Sequence, residues 1–544
     1  MPHLVRRLVL FAAALALAPA LRAQADHGSI VVITGQYPGL PIPTLVQGSS
    51  NQDVADLLFL RLARMGPTLS TSGDADFVPQ LARHWTRRDS LTLVFELDPR
   101  ARWQDGVPVT SRDVVFSFKR ARDPAIDPTI AELLRSVASA TALDEHRVAI
   151  GFTHWYPSQF YDATYQVQVL PAHLLESLAP AAVATSDFAR SPIGDGPYRW
   201  VRGVAGQFVE LAADTSFFLG APKLDRVIFR AAADGDARMN LLLSGEGDAL
   251  ENILPVSNQD RVRGDTALRL VAVPSFTIGY FLYNERDPVD TGRANPILGD
   301  RGVRRALTLA IDRETMTRSI FGPDATVPIG PASLSLWVRP PEPAARQDTA
   351  AARRALAAAG WGRRGDDGIA VRGGRRLRLD VIFPNTSAAR RQIALQAQEQ
   401  WRAVGVDAQL EPLDFPTYLD RRKAGRFDID VTAVNQDPNP TGLTQSWTCA
   451  GIGGSNVGHF CDPGVDSLIA AASASTDGLE LWRQALRTID ADAAAAFVFA
   501  PAAMIAVHRR FDHVVIHPES FWSGLGAWSV APGRQLPRDR VPGR

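Results

Sequence analysis

The clearest hydrophobic pattern lies in the second half of the chain, where apolar positions recur with helical spacing. Val303, Ala306, Leu307, Ala310 and Ile311 follow the series i, i+3, i+4, i+7 and i+8. This series predicts a helix with one buried face.

A strand–helix–strand unit is predicted further on. Ile393, Ala397 and Trp401 repeat the helical spacing, and Gly405 is a natural stop after the helix. Residues 406–410 then alternate between apolar and polar, as in a half-buried strand. Such a unit favours a right-handed crossover onto a mixed or parallel sheet.

The first half interleaves short strands and helices. Residues 29–34 and 91–97 have strand composition, and residues 54–62 are predicted as a helix with Asp53 as its cap. Residues 110–113 (TSRD) are similar to a capping box and predict a second helix start. Interleaved elements of this kind indicate an α/β or α+β class.

The first 25 residues predict a cleavable export signal. Arg6 and Arg7 precede an almost wholly apolar run over 8–21, and Ala23 and Ala25 supply the small residues of a cleavage site. The run is shorter than the roughly 18 residues that a membrane span requires. With no cysteine near the cleavage point, no lipid anchor is expected, and the protein is predicted to be periplasmic. A buried N-terminal helix is the alternative.

Length and charge narrow the class of protein. About 520 residues would remain after cleavage, too many for one core, so at least two lobes are expected. The formal net charge is +0, without the basic excess that binding nucleic acid requires.

The two cysteines, Cys449 and Cys461, are predicted to form a disulfide in an oxidising compartment. Two free thiols are the alternative. A metal site would need more ligands than the nearby His459 supplies, so none is expected.

Catalytic and cofactor motifs are not found. The chain has no G-x-S-x-G, no H-E-x-x-H, no P-loop and no dinucleotide fingerprint. The glycine-rich stretch 451–454 is interpreted as a turn. We therefore predict a protein without a cofactor that is not an enzyme, although a pair of acidic residues brought together by folding would leave no trace in the sequence.

Several motifs together resemble the bacterial extracellular solute-binding proteins of family 5, which serve oligopeptide, dipeptide and nickel importers. In chain order the matching segments are 81–85 (LARHW), 91–124, 194–198 (GDGPY), 220–225, 241–250, 303–314 (VRRALTLAIDRE), 359–361 and 392–418. They extend over essentially all of the predicted mature chain. The Asp105-Gly106 pair and the Gly-x-Gly-Pro motif are expected to supply turns with positive φ between strands, so we interpret most of these motifs as determinants of the fold.

This resemblance implies an α/β fold of two lobes joined by a hinge, the class II (cluster C) type of periplasmic binding protein. The expected first lobe covers residues 26–275, with an extra small domain at about 66–190. The second lobe would cover 276–507, and residues 508–544 would return to the first. A monomer is expected, which would bind a small molecule or short peptide and deliver it to permease subunits in the inner membrane.

Two segments are candidates for binding the solute. In peptide-binding relatives an early loop pairs with the extended ligand. Gln47, Ser49 and Asn51 occupy the matching loop here. A solvent-exposed loop that caps the following helix is the alternative for this stretch.

The relatives also carry a Trp-x-x-Asp-x-x-x-Pro segment, whose aspartate pairs with the ligand's amino group. The corresponding stretch here has Ala433 at the tryptophan position and Gln436 at the aspartate position, with Asn435 before it and Asp437 one residue later. Either Asp437 takes over the anchor by a slip of one residue, or the ligand lacks a free amino terminus. We predict that this segment faces the cleft without holding a free amino terminus. Modified peptides, sugars and other uncharged solutes remain open as ligands.

Aromatic residues near the predicted hinge complete the candidates. Alternation places Phe276 and Tyr280 on one side of a strand and Phe281 and Tyr283 on the other. One set is expected to pack in the core, and Phe276 and Tyr280 are candidates to contact ligand. Trp447 is a further candidate, with a core role beside the disulfide as its alternative.

Taken together, these patterns predict the periplasmic solute-binding component of an ABC importer for a peptide or peptide-like solute. A periplasmic hydrolase and a ligand-sensing interaction protein on the same scaffold are the competing hypotheses.

Overall fold

The computed structural model describes residues 28–46 and 48–539. The predicted signal segment 1–25 and the candidate residue Gln47 lie outside the described residues. Within the described ranges, no helix combines the length and the apolar character that crossing a bilayer requires.

The first large sheet has seven strands and is mixed in direction. In spatial order they are Leu268–Pro274, Ala502–His508, Ala249–Leu250, Ser29–Thr34, Arg226–Ala231, Phe208–Ala213 and Tyr198–Val204. The predicted strand at 29–34 is confirmed and lies near the middle, parallel to both of its neighbours. All six of its residues are buried.

The second large sheet has five strands. Their order is Asp407–Leu413, Arg378–Pro384, Ile429–Asn435, Thr277–Tyr283 and Ala495–Phe499. The first two run parallel on either side of the helix Ala388–Ala403 in sequence, which confirms the predicted strand–helix–strand unit. Gly405 follows that helix with φ 88°.

The strand Thr277–Tyr283 shows the predicted alternation, but Phe276, expected on the side of Tyr280, precedes the strand and packs in the first sheet's hydrophobic cluster. Phe281 and Tyr283 pack into one hydrophobic cluster of the second sheet, whereas Tyr280 and Leu282 pack into another. This strand therefore separates two layers of the core.

Within the described residues, the chain crosses between the two large sheets twice. One crossing joins Pro274 to Thr277, and the other joins Phe499 to Ala502. The Ser275 hydroxyl donates a hydrogen bond of 2.6 Å to the Pro501 carbonyl, so the two crossings touch. The strand Ala502–His508 already pairs in the first sheet, several residues before the predicted return at 508, because its apolar residues complete the sheet beside Leu268–Pro274.

A smaller antiparallel sheet packs against the first sheet's hydrophobic core. Its strands, in spatial order, are Ala82–Asp89, Thr92–Leu97, Arg147–Phe152 and Val137–Ala142. Three minor sheets are built from Ala63–Met65 with Phe77–Pro79, Arg363–Arg364 with Ala370–Arg372 and Arg375–Arg376, and Phe511–Asp512 with Ser529–Val530.

The α-helices surround these sheets. They are Ser49–Leu58, Ser111–Ala121, Pro128–Leu133, Gln159–Thr164, Ala172–Leu175, Asp187–Arg190, Gly235–Leu243, Val256–Gly264, Arg301–Ala310, Arg313–Phe321, Thr349–Leu356, Ala388–Ala403, Phe415–Lys423, Leu443–Trp447, Pro463–Ser473 and Leu479–Ala491. The capping box is confirmed, since Thr110 and Asp113 bond reciprocally at the start of Ser111–Ala121.

The first helix differs from its prediction. It covers Ser49–Leu58 rather than 54–62, so Asp53 lies in its middle instead of capping it. Gly48 precedes the helix with φ 79°, a conformation that favours glycine. The Leu58 carbonyl accepts bonds from the backbone N–H groups of Asp195 and Gly196 at 3.0 and 2.8 Å, and the following chain is extended.

The same contact corrects the interpretation of the Gly-Asp-Gly-Pro-Tyr motif as a turn that needs positive φ. A Cβ atom at Gly194 would lie 1.9 Å from the Leu58 carbonyl oxygen, and one at Gly196 would lie 2.4 Å from that of Leu57. These glycines are required by close approach of two backbones. The Asp-Gly turn at Gly106 does have the expected positive φ, 91°.

Candidate functional site

A cavity of about 980 Å³ lies between the two large sheets, and we call it the cleft cavity. Its walls come from both sides of the crossings. Ser49 and Glu251 belong to the wall on the first-sheet side, Arg390 and Asn435 belong to the wall on the second-sheet side, and Phe276 lies in one crossing.

The helix Ser49–Leu58 lines the first wall with a polar stripe. Ser49, Gln52, Asp53 and Asp56 face the cleft cavity at positions i, i+3, i+4 and i+7. Residues on the opposite side of the helix, Val54 and Leu58, are buried in the hydrophobic core. The helix is therefore amphipathic in an unusual sense, because its polar face points into an internal cavity.

Two carboxylates on this stripe have different surroundings. Asp56 is paired with Arg61 at 2.7 Å and also accepts a hydrogen bond from Gln52 at 2.7 Å. Asp53 is only 6% exposed and forms no hydrogen bond or ion pair with any residue that the structure describes. Burial, followed by the charges of Glu251 and Asp56, raises the pKa of Asp53 well above its ordinary value.

Two glutamates extend the acidic surface of the first wall. Burial raises the pKa of Glu251 to about 7, although Trp522 and Arg238 act in the opposite direction. Burial likewise raises the pKa of Glu519 to about 7. The Oε2 atom of each glutamate is buried without a hydrogen-bond partner among the described residues.

The second wall is built on the segment that follows the strand Ile429–Asn435. The Gln436 backbone N–H donates to the Phe276 carbonyl at 2.9 Å. Its side-chain amide donates to the Pro331 carbonyl at 2.7 Å and accepts from the Ser333 backbone N–H at 2.8 Å. Gln436 therefore ties three pieces of chain together.

Asp437 connects the two walls. Its Oδ1 atom accepts hydrogen bonds from the Tyr161 hydroxyl at 2.9 Å and from the Asn439 backbone N–H at 2.7 Å. A second contact runs alongside, from the Asn439 side chain to the Ser158 hydroxyl at 3.0 Å. Burial raises the pKa of Asp437, and these hydrogen bonds oppose the shift. Tyr161 packs in the first sheet's hydrophobic core, and Ser158 directly precedes the helix that carries Tyr161, so both contacts cross the cleft.

A second cavity of about 610 Å³, the side cavity, adjoins the cleft cavity. Residues 435–437 line both, and the remaining walls of the side cavity come from the second-sheet side. Tyr280 and Trp447 supply aromatic surface, with ring centroids 5.6 Å apart. Trp447 also packs on Phe460 beside the disulfide Cys449–Cys461, so it contacts both the cavity and the core.

The structure forms the predicted disulfide, with Cα atoms 4.5 Å apart. Of the candidate ligand residues, it brings Ser49 and Phe276 to the cleft cavity and Tyr280 and Trp447 to the side cavity, around the shared 435–437 segment.

Asn51 is placed differently: its side chain accepts a hydrogen bond from the Leu40 backbone N–H at 3.0 Å, and it is not among the described residues lining either cavity.

The sequence interpretation missed the carboxylates Asp53, Glu251 and Glu519 and the guanidinium of Arg390. A signal for Asp53 existed, because the polar i, i+3, i+4, i+7 series starting at Ser49 is opposed by apolar residues. Glu251 and Glu519 are 268 residues apart in the chain, and no pattern relates them.

Comparison with known proteins agrees with this architecture. Residues 76–454 match the family model described as bacterial extracellular solute-binding proteins, family 5 middle. The chain is 29% identical over 399 residues to a Brucella ovis protein named provisionally as an ABC transporter peptide-binding protein, covering 72% of this chain and 71% of the relative. It is 22% identical over 441 residues to the oligopeptide-binding protein AppA of Bacillus subtilis, covering 79% of each.

Solved structures show the same fold. AppA of Bacillus subtilis in complex with a nonapeptide has a TM-score of 0.73 at 22% identity, covering 93% of this chain and 99% of AppA. NikA of Brucella suis in complex with Fe(III)-EDTA has a TM-score of 0.78 at 17% identity, covering 92% and 99%. The chain has the two-lobed fold of these binding proteins and belongs to family 5 of the bacterial extracellular solute-binding proteins.

Proposed function

We propose that this protein captures a peptide or peptide-like solute between its two lobes and delivers it to the permease subunits of an ABC importer. The observation that carries the proposal is the cleft cavity, which lies between two walls whose covalent connections, in the described part of the chain, are two adjacent crossings. A cavity of about 980 Å³ suits a ligand of several residues.

The lobes follow the sheets in this proposal. Residues from 28 to the first crossing, together with the chain after the second crossing, form the first lobe, and the intervening chain forms the second. Closure about the crossings would enclose the solute and present the closed form to the membrane partner. The relatives named for peptide binding support a peptide as solute. Export by a cleaved signal, without a lipid anchor, is part of the same proposal.

Calorimetry with a pool of synthetic di- to pentapeptides tests the proposal, with X-ray scattering on the same samples. We expect at least one peptide to bind and to reduce the radius of gyration. Binding should also raise the melting temperature, since a ligand at a hundredfold excess over Kd stabilises the folded state by about 2.7 kcal/mol. A pool in which nothing binds, or hydrolysis of a bound peptide, would contradict the proposal.

A further inference from the structure

The charges that line the cleft cavity are unbalanced. Among the described residues, five carboxylates face it, whereas Arg390 is the only lysine or arginine that does. Asp56 is neutralised by Arg61, and Asp437 already accepts two hydrogen bonds. The excess of acidic groups in the cavity is therefore due to Asp53, Glu251 and Glu519.

Asp53, Glu251 and Glu519 all belong to the first-lobe wall. Asp53 is more than nine-tenths buried, faces the cavity, and has no hydrogen-bond or ion-pair partner in the described part of the chain. The Ser520 hydroxyl also lines the cavity and is buried without a described partner. Asp53 and the Ser520 hydroxyl therefore have hydrogen-bonding capacity that no described residue uses.

A buried carboxylate without a partner is unfavourable, and nearby carboxylates worsen it by repulsion. A cation entering the cavity would offset both costs. A bare metal ion does not match the arrangement, because the described residues contain no group of three or more His, Cys, Asp or Glu side chains that could hold one. An organic cation with an extended shape fits acids that are distributed along a wall.

We propose that the first-lobe wall, through Asp53 and Glu251, binds an alkylammonium or guanidinium group of the solute. The proposal rests on the function proposed above and names its substrate class: a peptide or peptide-like solute that carries a positive charge. The cation would come from a basic side chain or from an amino terminus. In either case it is held on the wall opposite to Gln436 and Asp437.

The test uses alanine-based pentapeptides with amidated carboxyl ends. In one arm the peptides are N-acetylated and carry one lysine, or one norleucine of the same length without charge, at each position in turn. In the other arm the norleucine peptides are compared with and without the acetyl group. Calorimetry on the full mature protein gives Kd for each peptide.

We expect at least one charged peptide to bind about tenfold or more tightly than its uncharged match, since a charge-assisted hydrogen bond in a dry site is worth that factor. Tighter binding of a peptide with lysine at one position would show that the cation is a side chain. Tighter binding of the peptides without the acetyl group would show that it is the amino terminus. Glu251→Gln and Asp53→Asn should each reduce the preference about fivefold or more. Glu246→Gln should not, because Glu246 is exposed and paired with Arg230 outside the cavity.

The outcomes separate the two proposals. If uncharged and charged peptides bind equally, the solute is a peptide and the cation inference is wrong. A preference that survives both Glu251→Gln and Asp53→Asn would also overturn it, because the cation would then bind elsewhere. If no peptide binds at all, the proposed function fails and this inference fails with it. If a variant does not fold, the affinities of the wild-type protein for charged and uncharged peptides still test whether a cation is preferred.

Discussion

The two walls of the cleft differ in how their polar groups are used. On the second wall, Gln436 and Asp437 are engaged by other parts of the chain. On the first wall, Asp53 and one oxygen of Glu251 have no described partner. Polar groups that satisfy one another hold the structure together, whereas buried groups left unpaired are available to a ligand. Proximity to the cleft alone therefore does not identify a ligand residue.

The largest expected effect is on the free energy of unfolding and concerns the disulfide on the side of the second wall. The disulfide closes a loop with a sequence separation of 12, and Ser455 and Gly458 in that loop line the side cavity. Replacing Cys449 and Cys461 by serine should lower the free energy of unfolding by about 3 kcal/mol through the entropy of the opened loop. Denaturant unfolding measures the change.

The loop that the disulfide closes lines the side cavity, whereas Asp53 and Glu251 line the first-sheet side of the cleft cavity. The preference for a charged peptide should therefore persist in the folded double variant. Unfolding free energies that match wild type would show that the disulfide does not stabilise this lobe.

The next effect concerns the unpaired acids of the first wall, and it depends on pH. The pKa of Glu251 is about 7 in the folded protein and near 4.3 in an unfolded chain. Between these values the folded state binds more protons, so stability falls as pH rises from about 4.5 to 7 and the loss is complete above 7. Asp53, Trp522 and Arg238 are the groups that influence this titration.

Glu251→Gln should therefore raise the stability of the ligand-free protein by about 1–2 kcal/mol at pH 8 and change it little at pH 4. Thermal unfolding at the two pH values measures the difference. The same variant is expected to bind a cationic peptide more weakly, so stability and binding should change in opposite directions. Destabilisation at pH 8 would show that Glu251 has a structural partner.

The sequence predicted the fold better than it predicted this difference between walls. The helix at 301–310 was found because periodic burial leaves a local record. The first helix was misplaced because Asp53 fits the usual residue type of an N-cap, whereas the helix in fact begins after Gly48. Its polar residues face a cavity made by distant segments. The role of Gln436 could not be predicted either, because its partners Pro331 and Ser333 lie about a hundred residues away.

A smaller effect is expected from the hydrogen bond between the walls. Tyr161→Phe removes the hydroxyl that donates a hydrogen bond to Asp437. The variant should bind every peptide about three- to tenfold more weakly, since one hydrogen bond contributes about 0.5–1.5 kcal/mol to the closed form. Scattering should show a larger radius of gyration for the ligand-free variant. Tyr156→Phe is the matched control, because the Tyr156 hydroxyl bonds Asp162 within the first lobe. Equal effects of the two variants would contradict a role in closure.

The smallest effect is predicted at Asp437, one residue after the position where the family resemblance implies an amine anchor. Asp437→Asn retains an oxygen that can accept from Tyr161 and Asn439, so the contact across the cleft survives the loss of charge. If Asp437 acts only in closure, the ratio of affinities for free and N-acetylated peptides should be the same in wild type and variant. Calorimetry on the two peptide sets measures that ratio. The contrary result would be a preference for the free amine that Asp437→Asn abolishes and Glu251→Gln leaves intact. The cation would then bind on the second wall, and the unpaired acids of the first wall would not be the ligand site.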